Sequence, residues 1–283
     1  PVGKTEYARE LDEGLDLFRV TSPLGVLAVI FESRPDALVQ IAGLCLKSGN
    51  SVILKGGSEA RHSNRELYTI IKGATADLPE GWIQIMEARD EVTKLLELDA
   101  YVDLIIPRGS NEFVRYIQNN TRIPVLGHAD GVCHIYVDSE ADLDMAVKVC
   151  LDAKVQYPSV CNAVDTILVH EDIAQSLLVP MVETLLGNDV EVRGGEKVLD
   201  IIDSGIKAAT DDDWGHEYLD YIVALKIVTD AEEAINHINR YGSHHTDAVI
   251  TGNAKTAANF IDSVDSANVF WNASTRFADG YRY

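Results

Sequence analysis

Residues 25–31 read GVLAVIF, an unbroken apolar run. A run of this kind is typical of a strand that is buried on both faces of a parallel sheet. It is interrupted by ESRP at residues 32–35, after which we predict a helix that closes at Gly49-Asn50. A second buried strand, SVILK, follows at residues 51–55. This alternation of strand and helix predicts an α/β fold with a doubly wound parallel sheet.

The alternation continues along the chain, with strands predicted at 82–86, 102–106, 134–138, 166–170 and 222–228. Helices are predicted from about 143 to 151, near 172–186 and near 231–240, and Ser63 is the predicted N-cap of the helix after residue 55. The alternation of strand and helix begins again after Gly127. We therefore predict an arm or hairpin at 1–22, a dinucleotide-binding domain at 23–127, a catalytic domain at 128–270 and a return segment at 271–283. The chain stops within a motif, so we expect it to be part of a longer protein.

Composition and net charge limit the classes of protein to which this chain can belong. The 283 residues carry a net charge of -21, which argues against a nucleic-acid partner and requires local cations for any anionic substrate. The sequence shows neither an apolar run of membrane-spanning length nor a signal-peptide pattern. The four cysteines lack CxxC spacing, which is typical of reduced thiols. We expect a cytoplasmic protein without a membrane partner.

One cysteine has a distinctive setting. Residues 157–163 read YPSVCNA and place Cys161 after a turn at Pro158 and before an apolar strand. A thiol at such a turn is open to a substrate. A free cysteine, however, is more often a small buried hydrophobic residue. The local sequence leaves both interpretations open.

Polar groups follow three of the predicted strands, at Glu32-Ser33-Arg34, Lys55-Gly56-Gly57 and Arg108-Gly109-Ser110. Open α/β sheets bind ligands at the carboxyl ends of their strands. Lys55 can reach a phosphate or a ribose, and the helix start after Ser110 suits a pyrophosphate. The alternatives are a tight turn with a solvated lysine and an ordinary helix cap by Ser110.

Two later stretches, GSHHTD at 242–247 and WNASTRF at 271–277, are dense in hydrogen-bond donors and acceptors. The His-His-x-Asp run at 244–247 has metal-binding chemistry but lacks a third convincing ligand. We therefore predict a substrate pocket and no metal site.

Six motifs occur in the same order as in a known family: FESRPD (31–36), LKGG (54–57), IIPRGS (105–110), YPSVCN (157–162), YGSHHTD (241–247) and WNASTRFADG (271–280). Together they resemble the γ-glutamyl phosphate reductases, which belong to the aldehyde dehydrogenase superfamily. The resemblance covers essentially the whole chain. It implies an aldehyde-dehydrogenase-like fold with two doubly wound α/β domains, one for the cofactor and one catalytic, and a short oligomerisation arm.

The resemblance also implies an activity: NADPH-dependent reduction of L-glutamyl 5-phosphate to L-glutamate 5-semialdehyde and phosphate through a cysteine thioester, the second step of proline biosynthesis. It implies NADP(H) as cofactor, a homo-oligomer (a dimer or a tetramer), and glutamate 5-kinase as a partner. Three alternatives remain. They are the reductase domain of a bifunctional pyrroline-5-carboxylate synthetase, a semialdehyde-oxidising aldehyde dehydrogenase, and a dinucleotide-binding module without chemistry.

The site residues follow from the resemblance position by position. The catalytic group comprises the nucleophile Cys161, with Asn162 and Ser33. The cofactor-binding group comprises Lys55, Gly57, Glu59, Arg108, Gly109, Ser110 and Glu217. The substrate-binding group comprises Arg34, His244, His245, Thr246, Asn272, Ser274, Thr275 and Arg276, the last as a candidate for the substrate carboxylate. At about His128 the oxidising relatives carry a general-base glutamate, and its replacement here favours reduction over oxidation.

Overall fold

The computed structural model describes residues 2–31, 35–88, 91–127 and 130–279. The chain forms two compact units, Pro1–Ala129 (unit 1) and Asp130–Tyr283 (unit 2). The predictions at Ser33, Arg34 and His128 lie outside the described residues.

Unit 1 begins with an antiparallel hairpin of β1 (Thr5–Asp12) and β2 (Leu15–Val20). Gly14 turns the chain with a φ of 74°, in the left-handed region that glycine adopts without strain. Every residue of both strands is exposed. The exposed set includes six large apolar or aromatic side chains: Tyr7, Leu11, Leu15, Leu17, Phe18 and Val20.

The rest of unit 1 is a four-stranded parallel sheet with the order β5-β4-β3-β6. Its elements are β3 (Val26–Ile30), α1 (Pro35–Lys47), β4 (Ser51–Lys55), α2 (Arg61–Ala74), β5 (Ile83–Met86), α3 (Glu91–Leu95), β6 (Leu104–Pro107) and α4 (Asn111–Asn119). The apolar run at 25–31 contains β3, which pairs on both sides and is buried from Leu27 to Ile30. The prediction of a buried parallel strand is confirmed.

The predicted N-cap of α2 was wrong. A single 3₁₀ turn at Ser58–Ala60 runs directly into α2, so the helix begins at Arg61 and Ser63 lies in its first turn. The capping-box pattern identified a residue that favours helix starts, but the preceding turn had already placed the backbone in a helical conformation.

Unit 2 contains a seven-stranded parallel sheet with the order β10-β9-β11-β8-β7-β12-β13. Its elements are β7 (Cys133–Val137), α5 (Leu143–Val155), β8 (Val164–His170), α6 (Glu171–Leu186), β9 (Glu191–Gly194), α7 (Glu196–Leu199), β10 (Lys207–Ala208), β11 (Ile222–Val228), α8 (Ala231–Tyr241), β12 (Thr246–Ile250), α9 (Ala254–Ser263) and β13 (Asn268–Trp271). Every strand pair is parallel. Among the described residues, the helices are all too short or too polar to cross a membrane.

Two histidines are buried inside unit 2, His134 on β7 and His237 on α8, with ring centroids 5.5 Å apart. Lys226 Nζ lies 3.1 Å from His237 Nδ1, and a lysine ammonium can only donate, so His237 Nδ1 is the acceptor. Burial, assisted by the positive charges of Lys226 and Arg240 and by His134, holds the pKa of His237 well below its ordinary value. His237 is therefore neutral in the folded protein.

This burial makes unit 2 sensitive to acid. A histidine in the unfolded chain takes up a proton near pH 6.5, whereas folded His237 does not, so stability is fully present above that pH and falls as the pH drops below it. We expect His237→Phe to reduce the loss of unfolding free energy between pH 6.5 and pH 5 by up to ~2 kcal/mol. Urea unfolding at several pH values measures this, with His216→Gln, at an exposed histidine of the same unit, as control. An unchanged pH dependence in His237→Phe would contradict the assignment.

Candidate active site

Unit 1 has a cleft of about 610 Å³ at the carboxyl ends of β3, β4 and β6. The chain runs from β3 through β4 to β5 on one side of the sheet and then crosses to β6 on the other side of β3. Such a reversal of strand order is where open α/β sheets bind ligands. The lining includes Lys55, Gly56, Gly57, Ser58, Glu59, Glu87, Arg108, Ser110, Phe113 and Tyr116.

Lys55 is buried except at the cleft, and its Nζ donates to the carbonyl of Gly56 at 2.7 Å. The two glycines after it leave room for neighbouring side chains. A Cβ on Gly56 would lie 2.2 Å from Asn64 Nδ2, and one on Gly57 would lie 1.9 Å from Glu59 Oε1. The glycines thus let Asn64 and Glu59 close over the backbone beside Lys55.

The turn after β6 contributes Arg108 and Ser110 to the same cleft, with Gly109 between them. Ser110 is the N-cap of α4, and its Oγ accepts from the backbone N–H of Phe113 at 3.4 Å. Ser110 therefore both caps α4 and lines the cleft. The predicted cofactor positions in unit 1 all fall on or beside this cleft.

In unit 2, Cys161 lies in the turn before β8 and its side chain is half-buried. The other three cysteines are buried, and burial raises the pKa of each of their thiols. Gly131 packs directly on the Cys161 backbone, because a Cβ there would lie 2.2 Å from the Cys161 carbonyl oxygen. The Cys133 thiol donates to that same oxygen at 3.1 Å.

Asn162, next to Cys161, is buried, and both ends of its side-chain amide form hydrogen bonds. Its Nδ2 donates to the carbonyl of Ala278 at 2.6 Å, and its Oδ1 accepts from Arg276 Nη1. Arg276 also donates from Nε to Gln156 Oε1 at 3.2 Å, and its Nη2 lies 3.8 Å from Asp279 Oδ2. The guanidinium thereby ties residues 276–279 to the residue beside the thiol.

A second cleft, of about 680 Å³, lies between α5 and residues 272–279. Its lining carries both signs of charge, with polar groups between them: Lys148, Asp152, Gln156, Asn272, Ser274, Arg276 and Asp279. The α5 members of this set were not predicted, because on an amphipathic helix they are indistinguishable from an ordinary solvated face.

Residues 242–245 form a loop, whereas residues 246 and 247 belong to β12. Ser243 Oγ accepts from the backbone N–H of Val132 at 2.9 Å, which brings the loop to the segment that contacts Cys161. His244 is exposed and its Nδ1 lies 2.7 Å from the carbonyl of Asp265, whereas half-buried His245 contacts Thr246 Oγ1 through Nδ1 at 2.8 Å. Thr246 is the first residue of β12 and is fully buried.

In the segment after β13, the side chains of Asn272 and Ser274 also form hydrogen bonds within the protein. Asn272 pairs with the backbone of Thr251, accepting from its N–H at 2.9 Å and donating to its carbonyl at 3.0 Å. Ser274 caps a short 3₁₀ turn by accepting from the backbone N–H of Arg276 at 3.3 Å. Thr275 is fully buried, and its hydroxyl has no hydrogen-bond partner among the described residues.

Glu217 lies before β11, and its negative charge acts on the buried carboxyl group of Asp165 on β8. Asp165 Oδ1 accepts from the N–H of Tyr218 at 3.2 Å, and Oδ2 accepts from the N–H of Cys133 at 3.3 Å. Lys154 Nζ, also fully buried, lies 3.5 Å from Asp165 Oδ1. Burial raises the pKa of Asp165 to about 6 despite the opposing effects of Lys154 and the two N–H donors.

This buried pair was not predicted. Lys154 stands in an apolar helix and Asp165 in an apolar strand, and an isolated charge in either pattern is consistent with a solvated position. As for metals, the described residues hold no group of three or more His, Cys, Asp or Glu side chains suited to an ion.

A model of the aldehyde dehydrogenase family matches residues 4–194. The chain belongs to the aldehyde dehydrogenase family. This confirms the predicted aldehyde-dehydrogenase-like α/β fold, and members of the family use nicotinamide cofactors.

Within the family, the chain is similar to proteins named γ-glutamyl phosphate reductase. One from Natronomonas pharaonis is 60% identical over 283 residues, covering 100% of this chain and 65% of the relative. One from Pelotomaculum thermopropionicum is 58% identical with the same coverage. The crystal structure of the Thermotoga maritima enzyme superposes with a TM-score of 0.96 at 41% identity, covering 100% of this chain and 69% of that one. The chain thus spans about 65% of the length of the curated relatives.

Proposed function

We propose that this protein is an NADPH-dependent reductase of L-glutamyl 5-phosphate that acts through a thioester on Cys161. The observation that carries the proposal is the setting of the thiol. Cys161 lies half-buried in a turn held by Gly131 and Cys133, while the other three cysteines are buried. The similarity to γ-glutamyl phosphate reductases over the whole chain supplies the substrate.

The Cys161 sulfur, as thiolate, attacks the acyl carbon of glutamyl phosphate, and the bond from that carbon to the phosphate oxygen breaks. The products of this step are inorganic phosphate and an enzyme thioester. Backbone N–H groups of the turn around Cys161 stabilise the negative charge that develops on the carbonyl oxygen. Reduction of the thioester then releases the semialdehyde and regenerates the thiolate.

NADPH, when bound, supplies the hydride for that reduction. The cleft of unit 1 fits a dinucleotide in volume and in chemistry. Lys55 and Arg108 provide cations for phosphates, and the N–H groups at the start of α4 provide further donors. Glu87 also lines the cleft, but Arg65 holds it in a two-point ion pair, with Nε donating to Oε1 at 2.7 Å, and so offsets a charge that would repel phosphate.

The cleft between α5 and residues 272–279 suits the amino-acid end of the substrate. Its cations, Lys148 and Arg276, match an α-carboxylate, and its carboxylates, Asp152 and Asp279, match an α-ammonium group. Arg276 joins this cleft to Asn162, beside the thiol. The net charge of -21 makes such local cations necessary for an anionic substrate.

The remaining expectations are part of the same proposal. Glutamate 5-kinase is the class of enzyme that would supply the acyl phosphate, and the cytoplasm is the expected compartment. The exposed apolar side chains of the β1–β2 hairpin suit burial against a second copy of the protein, in a homo-oligomer.

The reverse reaction gives the most direct assay: NADP⁺ reduction driven by glutamate 5-semialdehyde and phosphate. We expect Cys161→Ala to lower this rate by at least about 10³-fold, because it removes the nucleophile. Cys45→Ala, at a buried thiol of unit 1, is the matched control and should retain the rate. Full activity in Cys161→Ala would exclude the thioester mechanism. Activity that is independent of phosphate would instead indicate a semialdehyde-oxidising dehydrogenase.

Lys55 tests the cofactor assignment. Because the 2′-phosphate of NADPH makes a charge-assisted contact that NADH lacks, Lys55→Ala should weaken NADPH binding roughly tenfold more than NADH binding. Fluorescence titration with each cofactor measures the difference, and Lys72→Ala, on the last turn of α2, is the control. An equal loss for both cofactors would place the phosphate contact elsewhere, for example at Arg61 or Arg108.

A further inference from the structure

We infer that Cys133 is a positioning residue for Cys161, fixing the turn that carries the nucleophile through a thiol-to-carbonyl hydrogen bond. This inference rests on the proposed function, in which Cys161 is the reacting thiol. It is carried by one contact, Cys133 Sγ to the Cys161 carbonyl oxygen at 3.1 Å, between residues 28 positions apart in the sequence.

The donor in this contact is held in place from the other side. Cys133 opens β7 and is completely buried, and its backbone N–H donates to Asp165 Oδ2 at 3.3 Å. Asp165 is in turn fixed by Lys154 and by the N–H of Tyr218. The backbone that carries the Cys133 sulfur is therefore held by a buried network that is separate from the turn the sulfur contacts.

The thiol also remains a donor over the working pH range. Burial, reinforced by the negative charges of Asp247 and Asp165, raises the pKa of Cys133 well above its ordinary value. A protonated thiol can donate to a carbonyl, whereas a thiolate there would repel it.

Geometry at Cys161 leaves little room for adjustment. Gly131 packs so closely that a Cβ on it would lie 2.5 Å from Cys161 Cα and 2.2 Å from its carbonyl oxygen. With the backbone pressed against Gly131, the Cys133 hydrogen bond selects the orientation of the Cys161 peptide group. The Cys161 carbonyl shares its peptide plane with the N–H of Asn162, so the same hydrogen bond also sets the direction of that N–H beside the thiol.

Three variants test the inference: Cys133→Ala removes the donor, Cys133→Ser restores a hydroxyl donor, and Cys150→Ala removes an equally buried thiol from the main core of unit 2. The first readout is the rate of iodoacetamide alkylation of the Cys161 peptide as a function of pH. The second is the split between kcat and the KM for NADP⁺ in the reverse reaction. Melting temperatures are recorded for all three.

We expect Cys133→Ala to alter the pH profile of Cys161 alkylation and to lower kcat on the order of 10-fold or more, with the KM for NADP⁺ unchanged. Cys133→Ser should recover most of both, and Cys150→Ala should leave both within about twofold of the unmodified protein even if it lowers the melting temperature. If Cys133 acted only through stability, Cys133→Ala and Cys150→Ala would change the alkylation profile and kcat in the same way.

A Cys133→Ala variant with unchanged alkylation profile and kcat would overturn the inference, as would a Cys133→Ser variant no better than Cys133→Ala. The alkylation profile needs no substrate, so it reports on positioning even if the reductase activity proposed above is absent. Failure of the proposed function would appear separately, as absence of activity in the unmodified protein or as retained activity in Cys161→Ala.

Discussion

The buried carboxylate of Asp165 is the constraint on which the arrangement of unit 2 depends. It accepts hydrogen bonds from the N–H groups of Cys133 and Tyr218 and faces the equally buried ammonium of Lys154. A buried charge that loses such partners destabilises a protein by several kcal/mol, so the segments that supply them must meet for the core to close. Those segments adjoin Cys161, the candidate nucleophile, and Glu217, a candidate cofactor-binding residue.

The candidate cofactor residues of unit 1 and the Cys161 turn of unit 2 lie at different ends of their parallel strands. In unit 1 the candidate cofactor residues stand at the carboxyl ends of β3, β4 and β6, as in other open α/β sheets. In unit 2 Cys161 precedes β8 and the 242–245 loop precedes β12, which places both at the amino ends of parallel strands. The Cys161 turn is also held by a side-chain contact, from Cys133, whose backbone N–H is bound by Asp165.

The sequence predicted the parallel α/β fold because buried strands such as β3 and β8 contain local apolar runs, which are typical of strands buried on both faces. It also predicted a ligand site from the polar residues that follow strand ends, and the unit 1 cleft lies at those residues. The role of Cys161 stays a prediction that rests on its turn and on the family resemblance. It did not reveal that Thr246 would be buried, or that Lys154 and Asp165 would pair, because those outcomes depend on contacts between distant segments. The misplaced cap at Ser63 has a local cause instead, since the 3₁₀ turn immediately before the helix fixed its start.

A burst experiment tests the central claim, that Cys161 carries a thioester which waits for phosphate. The protein is mixed with glutamate 5-semialdehyde and NADP⁺ in the absence of phosphate, and NADPH formation is followed by absorbance in a stopped-flow instrument. We predict a single burst that approaches one NADPH per Cys161 and then stops until phosphate is added. Steady NADPH formation without phosphate, or phosphate-dependent turnover without any burst, would contradict it.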